Sequence, residues 1–205
     1  MKRTFIFLST FVVLLAACNN RNSEDRGKPG GIVKPIEPPI ELPKPNLKVY
    51  VENSGSMNGY VKGVTDFEQS VYNYLTDIKI SNLADSLSLY YINSNIIPQG
   101  SDISDFIEKL EPNTFQAKGG NLGISDISNV LKSVLSETKE NEIAILVTDG
   151  IFSPGKGKNA AEYLVNQLIG IKKTMAEHLS SYPNTATVIY QLSSQFEGFY
   201  YRGVL

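Results

Sequence analysis

The sequence predicts an α/β protein with a doubly wound, mostly parallel sheet and helices on both faces. Short apolar runs typical of strands alternate with longer segments whose apolar residues recur every three to four positions, as in amphipathic helices. One run, residues 143–147, is apolar throughout, which is typical of a central strand buried on both faces. Such alternation favours parallel strands joined by helices that cover the sheet.

The predicted strands and helices of the domain follow from these patterns. Residues 47–51 form the first predicted strand, and 66–78 form a helix with Phe67, Val71, Tyr74, Leu75 and Ile78 on one face. The rest are, in chain order, a strand at 87–92, a short edge strand at 96–97, a short helix capped by Ser101 or Asp102, a loop at 111–123, a helix capped by Ser125 or Asp126, the strand at 143–147, a long helix at 159–179 and a last strand at 186–192. In the long helix, the residues predicted to face inward are Ala161, Leu164, Val165, Leu168 and Met175.

Residues 1–17 are expected to be a signal peptide. Lys2 and Arg3 precede an apolar segment, 4–15, that is too short for a stable membrane span. Small residues then lead to Cys18, the only cysteine, so no disulfide can form within the chain. The tetrapeptide Leu-Ala-Ala-Cys that ends at Cys18 resembles a bacterial lipobox. This resemblance implies cleavage before Cys18, acylation of that residue and a lipid-anchored protein; an ordinary signal peptide is the alternative.

Residues 18–46 are predicted to be a linker, because a polar stretch is followed by five prolines between positions 35 and 45 that favour an extended spacer. Residues 47–205 are long enough for one well-packed domain. Asn19 is not the aspartate that retains some lipoproteins at the inner membrane, so the expected location is the cell envelope, with the outer membrane preferred. The net charge of −2 gives no electrostatic reason to expect nucleic-acid binding.

A polar cluster follows the first predicted strand. Glu52, Ser54 and Ser56 are spaced so that they share one face of an extended chain, and Gly55 lets the backbone curl so that they converge. Carboxylate and hydroxyl oxygens suit Mg²⁺ or another divalent cation that prefers oxygen ligands. The spacing therefore indicates part of a metal site.

Two further segments are predicted to reach the same place. The strand at 143–147 runs into Thr148, Asp149 and Gly150, and a glycine-rich loop, 118–123, contains Asn121. In parallel sheets, sites form at the carboxyl ends of the strands. If these two strands are neighbours, both polar clusters share one edge of the sheet.

These three segments, in their order along the chain, resemble the metal-ion-dependent adhesion site of von Willebrand factor type A domains. The resemblance covers nearly all of residues 47–195. The resemblance implies that Ser54 and Ser56 are direct ligands and that Glu52 and Asp149 are inner or outer carboxylates. Asn121 occupies the position of a loop threonine, for which Ser125 and Asp126 are alternatives. The ion would leave one coordination position for an acidic group of a partner protein. Glu52 in place of aspartate and Asn121 in place of threonine make the motif a degenerate one.

Three functions remain open. The first is a lipid-anchored binding module without enzymatic activity, which engages a protein or a surface ligand through the strand-end site. The second is a structural component of an envelope assembly that keeps the fold and has lost the ion. The third is a metal-assisted hydrolase using Asp149 and Glu52, or Ser54 as nucleophile, although the only histidine, His178, is poorly placed as a base.

Overall fold

The computed structural model describes residues 7–13, 43–116, 119–123, 125–154, 157 and 159–198, and it confirms the α/β class with an open, mixed sheet. The strands are β1 (Phe7–Val13), β2 (Asn46–Glu52), β3 (Ser86–Ile92), β4 (Ile96–Gly100), β5 (Glu142–Thr148) and β6 (Val188–Ser194). The helices are α1 (Asp66–Ile80), α2 (Ile103–Glu108), α3 (Pro112–Gln116), α4 (Ile127–Ser136) and α5 (Ala160–Ser181), with a 3-10 helix at Gly55–Gly59.

The sheet order is β4-β3-β2-β5-β1-β6. β2 lies between β3 and β5 and is parallel to both. β4 is antiparallel to β3, and β1 is antiparallel to both of its neighbours, β5 and β6. The four strands β4, β3, β2 and β5 therefore form a contiguous unit in which the two predicted polar strand ends are adjacent.

Alternating residues of the central strands belong to two apolar clusters, one on each side of the sheet. Val49 and Val51 of β2 pack with α1 and α2, whereas Tyr50 packs with Val130 and Val134 of α4. Alternation of this kind is the direct result of the two-residue period of a strand. Helices thus pack on the central strands through both clusters, while the described sheet is mixed rather than mostly parallel as predicted.

Helix starts are set by side-chain caps. Asp102 accepts a hydrogen bond from the backbone N–H of Asp105, Asp126 accepts one from that of Asn129, and Asn159 caps α5. The predicted alternatives Asp102 and Asp126 are therefore the capping residues, as expected from their short oxygen-bearing side chains. The predicted loop at 111–123 contains an additional short helix, α3.

The predicted inward face of α5 is wrong. Leu164, Val165 and Leu168 are exposed, and the buried side chains of this helix are Gln167 and Thr174. α5 lies against α4, and Gln167 accepts a hydrogen bond from the backbone N–H of Ser128 and donates one to Asp126. Polar contacts with α4, rather than the apolar stripe, thus orient this helix.

The expected signal peptide is represented only by residues 7–13, which form β1. Cys18 and most of the predicted linker lie outside the described residues. Among the helices of the described part, none is long and apolar enough to cross a membrane.

Candidate metal site at the strand ends

β2 and β5 end side by side. Val51 is the register partner of Val147, so the next residues, Glu52 and Thr148, end their strands at the same level of the sheet. Residues 52–56 and 148–150 together form one surface, here called the strand-end rim. The sequence prediction that these two polar clusters meet at one edge of the sheet is confirmed.

Glu52 is buried at the base of the strand-end rim, with 1% of its surface exposed. Its Oε1 accepts a hydrogen bond of 2.6 Å from the Ser125 hydroxyl, and its Oε2 accepts one from the Thr148 hydroxyl. Burial raises the pKa of Glu52, and the hydroxyls of Ser125, Thr148 and Ser54 oppose that rise. Both carboxylate oxygens of Glu52 thus accept hydrogen bonds from protein side chains.

Asp149 is also buried, with 7% of its surface exposed, and is only half satisfied. Its Oδ1 accepts a 2.9 Å hydrogen bond from the backbone N–H of Ile151, whereas its Oδ2 has no hydrogen-bond partner among the described residues. Burial, followed by the charge of Glu52, raises the pKa of Asp149 to about 7, although Ile151 and the nearby Ser56 act in the opposite direction. An unpartnered buried carboxylate oxygen is costly unless a cation or proton joins it.

Ser54 and Ser56 lie on the turn into the 3-10 helix, and their hydroxyl oxygens are 3.0 Å apart. Ser54 precedes the helix in an extended conformation, and Gly55 then lies against the glycine-rich loop, donating a 2.7 Å hydrogen bond to the carbonyl of Leu122. A Cβ atom at Gly55 would stand 2.9 Å from that carbonyl oxygen. Gly55 therefore allows both the curl and the close approach of the loop.

A network of asparagines holds this loop in place. Asn93, which follows β3, donates to the side-chain oxygen of Asn53 and to the carbonyl of Gly119, each at 2.8 Å. Asn53 in turn donates to the carbonyl of Phe115 at 3.1 Å. Gly120 has a φ of +82°, and a Cβ atom there would stand 1.9 Å from the Asn93 side-chain oxygen, so only glycine fits.

The third predicted segment contributes differently from the expectation. The side-chain oxygen of Asn121 accepts a hydrogen bond from the backbone N–H of Gly123, and Asn121 is exposed. Ser125 instead reaches Glu52, because its backbone pairs with Ser153 and its carbonyl accepts a 2.8 Å hydrogen bond from the Tyr163 hydroxyl. Asp126 caps α4 and accepts a hydrogen bond from the Gln167 side chain.

Thr148 is the functional side chain that sequence reasoning missed. In the sequence it is one residue of the polar strand end, whereas in the structure its hydroxyl donates to Glu52 and accepts from the backbone N–H of Gly150. Aligning the carboxyl ends of the two predicted parallel strands would have placed residue 148 opposite residue 52. Strand register was therefore the available signal.

The strand-end rim brings three oxygen-bearing groups together: Asp149 Oδ2 and the hydroxyls of Ser54 and Ser56. Among the described residues, no group of three or more histidine, cysteine, aspartate or glutamate side chains could hold a metal ion. A site here would accordingly depend on hydroxyl and carboxylate oxygens together. That donor set fits a hard cation such as Mg²⁺ and does not fit zinc.

No protein-family model, curated protein or solved structure matches this chain.

Proposed function

We propose that the protein is a non-enzymatic binding module of von Willebrand factor A type that engages a partner through a divalent cation at the strand-end rim. The observation that carries this proposal is the unpartnered, buried Oδ2 of Asp149 beside a second buried carboxylate, Glu52. A divalent cation would balance both charges and supply the missing partner. Its ligands would be Asp149, Ser54 and Ser56.

Glu52 has a supporting role in this proposal. Because its oxygens are held by Ser125 and Thr148, it contributes charge and fixes the two hydroxyls rather than binding the ion directly. The longer side chain of glutamate reaches both hydroxyls from the end of β2. Asn121 remains on the exposed loop beside the rim, where it can contact either the ion through water or the partner.

The proposed partner is an acidic group of a protein or surface component. A carboxylate can complete the coordination of a Mg²⁺ ion whose protein ligands occupy one side, and contact is strengthened where water is excluded. Hydrolysis is not favoured, because His178 packs against Tyr182 near the end of α5 and the Ser54 hydroxyl is bonded to Ser56. No histidine therefore lies beside the rim hydroxyls to serve as the base for acyl transfer.

Thermal unfolding with and without Mg²⁺ tests the cation site. A ligand present at about 100 times its Kd stabilises the folded state by about 2.7 kcal/mol, so a rise in Tm is expected for the unaltered protein. Asp149→Asn keeps the shape of the side chain, removes its charge and should abolish the rise. Asp105→Asn, which changes an exposed carboxylate on α2, is the matched control and should retain it. An equal rise in Tm for the Asp149→Asn variant would contradict the proposal.

A metal-free structural role is the second candidate, and one observation favours it. With its pKa raised to about 7, Asp149 can hold a proton and so reduce the repulsion from Glu52 without any ion. Partner capture separates the two functions once a partner is identified: release by EDTA supports the cation site, and capture that is unchanged by EDTA supports the structural role.

We further propose that the protein is anchored in the cell envelope, in the outer membrane, through acylated Cys18. Incorporation of labelled palmitate into the protein, and its loss in Cys18→Ser, tests this anchor. Labelling that persists in Cys18→Ser, or no labelling of the unaltered protein, would contradict it.

A further inference from the structure

β1 separates two strands that run in the same direction. Thr10 is the register partner of both Thr148 in β5 and Gln191 in β6, and Val13 is the partner of both Ile145 and Val188. Because β1 is antiparallel to each neighbour, β5 and β6 are parallel and already in register across it. One strand width is all that keeps them apart.

β1 is also the segment that the sequence assigns to a cleaved signal peptide. Removal of residues 1–17 would leave the edges of β5 and β6 facing each other with their backbone N–H and C=O groups unpaired. Unpaired backbone groups in a buried position are costly, and facing strand edges readily pair. The protein without this segment therefore has a strong reason to rearrange here.

A small cavity of about 10 Å³ lies on the α1 side of β6. This crevice lies between α1 and the strands, lined by Phe67, Val71, Val147, Leu192 and Ser194. Val147 is on β5 and Leu192 is on β6, so the crevice marks the place where the two strands are held apart. Closer approach of these strands would reduce it.

The other side of β6 is exposed to solvent. Val188 packs towards the α1 cluster, so its neighbour Ile189 points to the opposite side of the sheet, where 65% of its surface is exposed. The apolar stripe of α5, including Leu168, is exposed as well. Large exposed side chains on a strand and on a helix that follow each other in the chain indicate an incompletely packed layer.

We propose that β6 pairs directly with β5 once residues 1–17 are removed, so that β5 and β6 become adjacent parallel strands. The required movement is about 4.8 Å, the spacing of neighbouring strands. β5 ends at Thr148, opposite Gln191, so within β6 only residues 188–191 need to move. The end of β6 can act as the pivot, since the Ser194 hydroxyl accepts a 2.9 Å hydrogen bond from the backbone N–H of Phe67 on α1.

Disulfide trapping tests the new pairing. Leu146 and Ile189 are both register partners of Val12, and after closure they would be opposite each other. Two cysteines are bridged only when their Cα atoms are within about 7 Å, which adjacent strands allow and two strand widths of about 9.6 Å do not. The variant Leu146→Cys/Ile189→Cys should therefore oxidise to a disulfide in the processed protein. It should stay reduced in the same variant carrying Cys18→Ser, which retains residues 1–17.

A second pair provides the control. Lys48 and Ala144 are register partners on β2 and β5, which are adjacent in either arrangement. The variant Lys48→Cys/Ala144→Cys should form its disulfide in both forms. Oxidation of this pair without oxidation of the 146/189 pair in the processed protein would overturn the proposal. So would recovery of the mature protein with residues 1–17 still attached, because β1 would then keep its place.

A binding experiment on the processed protein without engineered cysteines tests the same proposal. Its result does not depend on whether the cysteine variants fold. A peptide with the sequence of residues 7–13, flanked by lysines for solubility, is titrated into this protein and followed by fluorescence polarisation. Closure of β6 onto β5 removes the place for a strand, so no binding is expected. Saturable binding would show that the slot stays open and would overturn the proposal.

Discussion

The two halves of the sheet differ sharply in how completely they are packed. Around β2, β3 and β5, side chains such as Val51, Tyr91 and Ile145 are fully buried, and Glu52 has donors for both of its oxygens. Around β6 and α5, large apolar side chains such as Ile189 and Leu168 remain in solvent. The stability of the described structure should therefore come from the first half, which also carries the strand-end rim. The second half has the freedom to rearrange.

A matched pair of substitutions measures this contrast most strongly. Leu75 of α1 is 1% exposed and Leu168 of α5 is 55% exposed. Leu75→Ala should lower the free energy of unfolding by about 2–5 kcal/mol, the usual cost of a cavity in a packed core. Leu168→Ala should change it by less than about 1 kcal/mol. Urea denaturation compares the two, and equal losses would show that α5 is packed in solution in a way that the structure does not contain.

The buried carboxyl group of Asp149 makes the free energy of unfolding depend on pH. The pKa of Asp149 is about 7 when folded against 3.8 ordinarily, so the folded state holds a proton there that the unfolded chain releases between these values. Without a cation, the contribution of Asp149 to the free energy of unfolding should be greatest below about pH 4 and fall by a few kcal/mol as the pH rises to about 7. Asp149→Asn should flatten this part of the profile. A profile in which the two proteins fall equally would place the effect elsewhere.

The hydrogen bond from the Thr148 hydroxyl to Glu52 is expected to contribute to stability. Thr148→Val keeps the shape of the side chain but leaves Glu52 Oε2 without this donor, which should cost about 1–3 kcal/mol of unfolding free energy. Thr114→Val, at an exposed position on α3, removes a hydroxyl from a solvated surface and should cost less than about 0.5 kcal/mol. Similar costs in urea denaturation would indicate that the Glu52 contact adds nothing.

A smaller effect distinguishes two glycines of the loop beside the rim. Gly119 and Gly120 both have positive φ angles, of +86° and +82°, but only Gly120 has an obstacle, the side chain of Asn93, where a Cβ atom would go. Both alanine substitutions should incur a backbone penalty of about 1 kcal/mol. Gly120→Ala should add to this by displacing Asn93 from its hydrogen bonds. Equal melting temperatures for the two variants would show that the asparagine network does not hold the loop.

Sequence patterns predicted the region around β2, β3 and β5 well and the packing of α5 poorly. The alternation and apolar runs around residues 47–51 and 143–147 predicted strands because burial on both faces constrains every position. The apolar stripe of α5 was also recognised, but periodicity identifies only which side of a helix is apolar. Whether the chain supplies a surface for that side depends on tertiary packing, which here involves Gln167 and α4 instead.

The meeting of the two polar strand ends was predicted for a similar reason. Glu52 and Asp149 follow adjacent parallel strands, so topology alone brings them together. The roles of Ser125 and Thr148 depend on which hydroxyl reaches which oxygen, and that is decided by side-chain geometry within a few tenths of an ångström. The unpartnered state of Asp149 Oδ2 likewise has no signature in the sequence.

The most direct measurement of the cation site is an anomalous difference map from crystals of the protein grown with Mn²⁺, which replaces Mg²⁺ at oxygen sites and scatters anomalously. We expect a peak at bonding distance from Asp149 Oδ2 and from the hydroxyls of Ser54 and Ser56. A map without density at the strand-end rim, with Asp149 ordered as described, would contradict a cation site there.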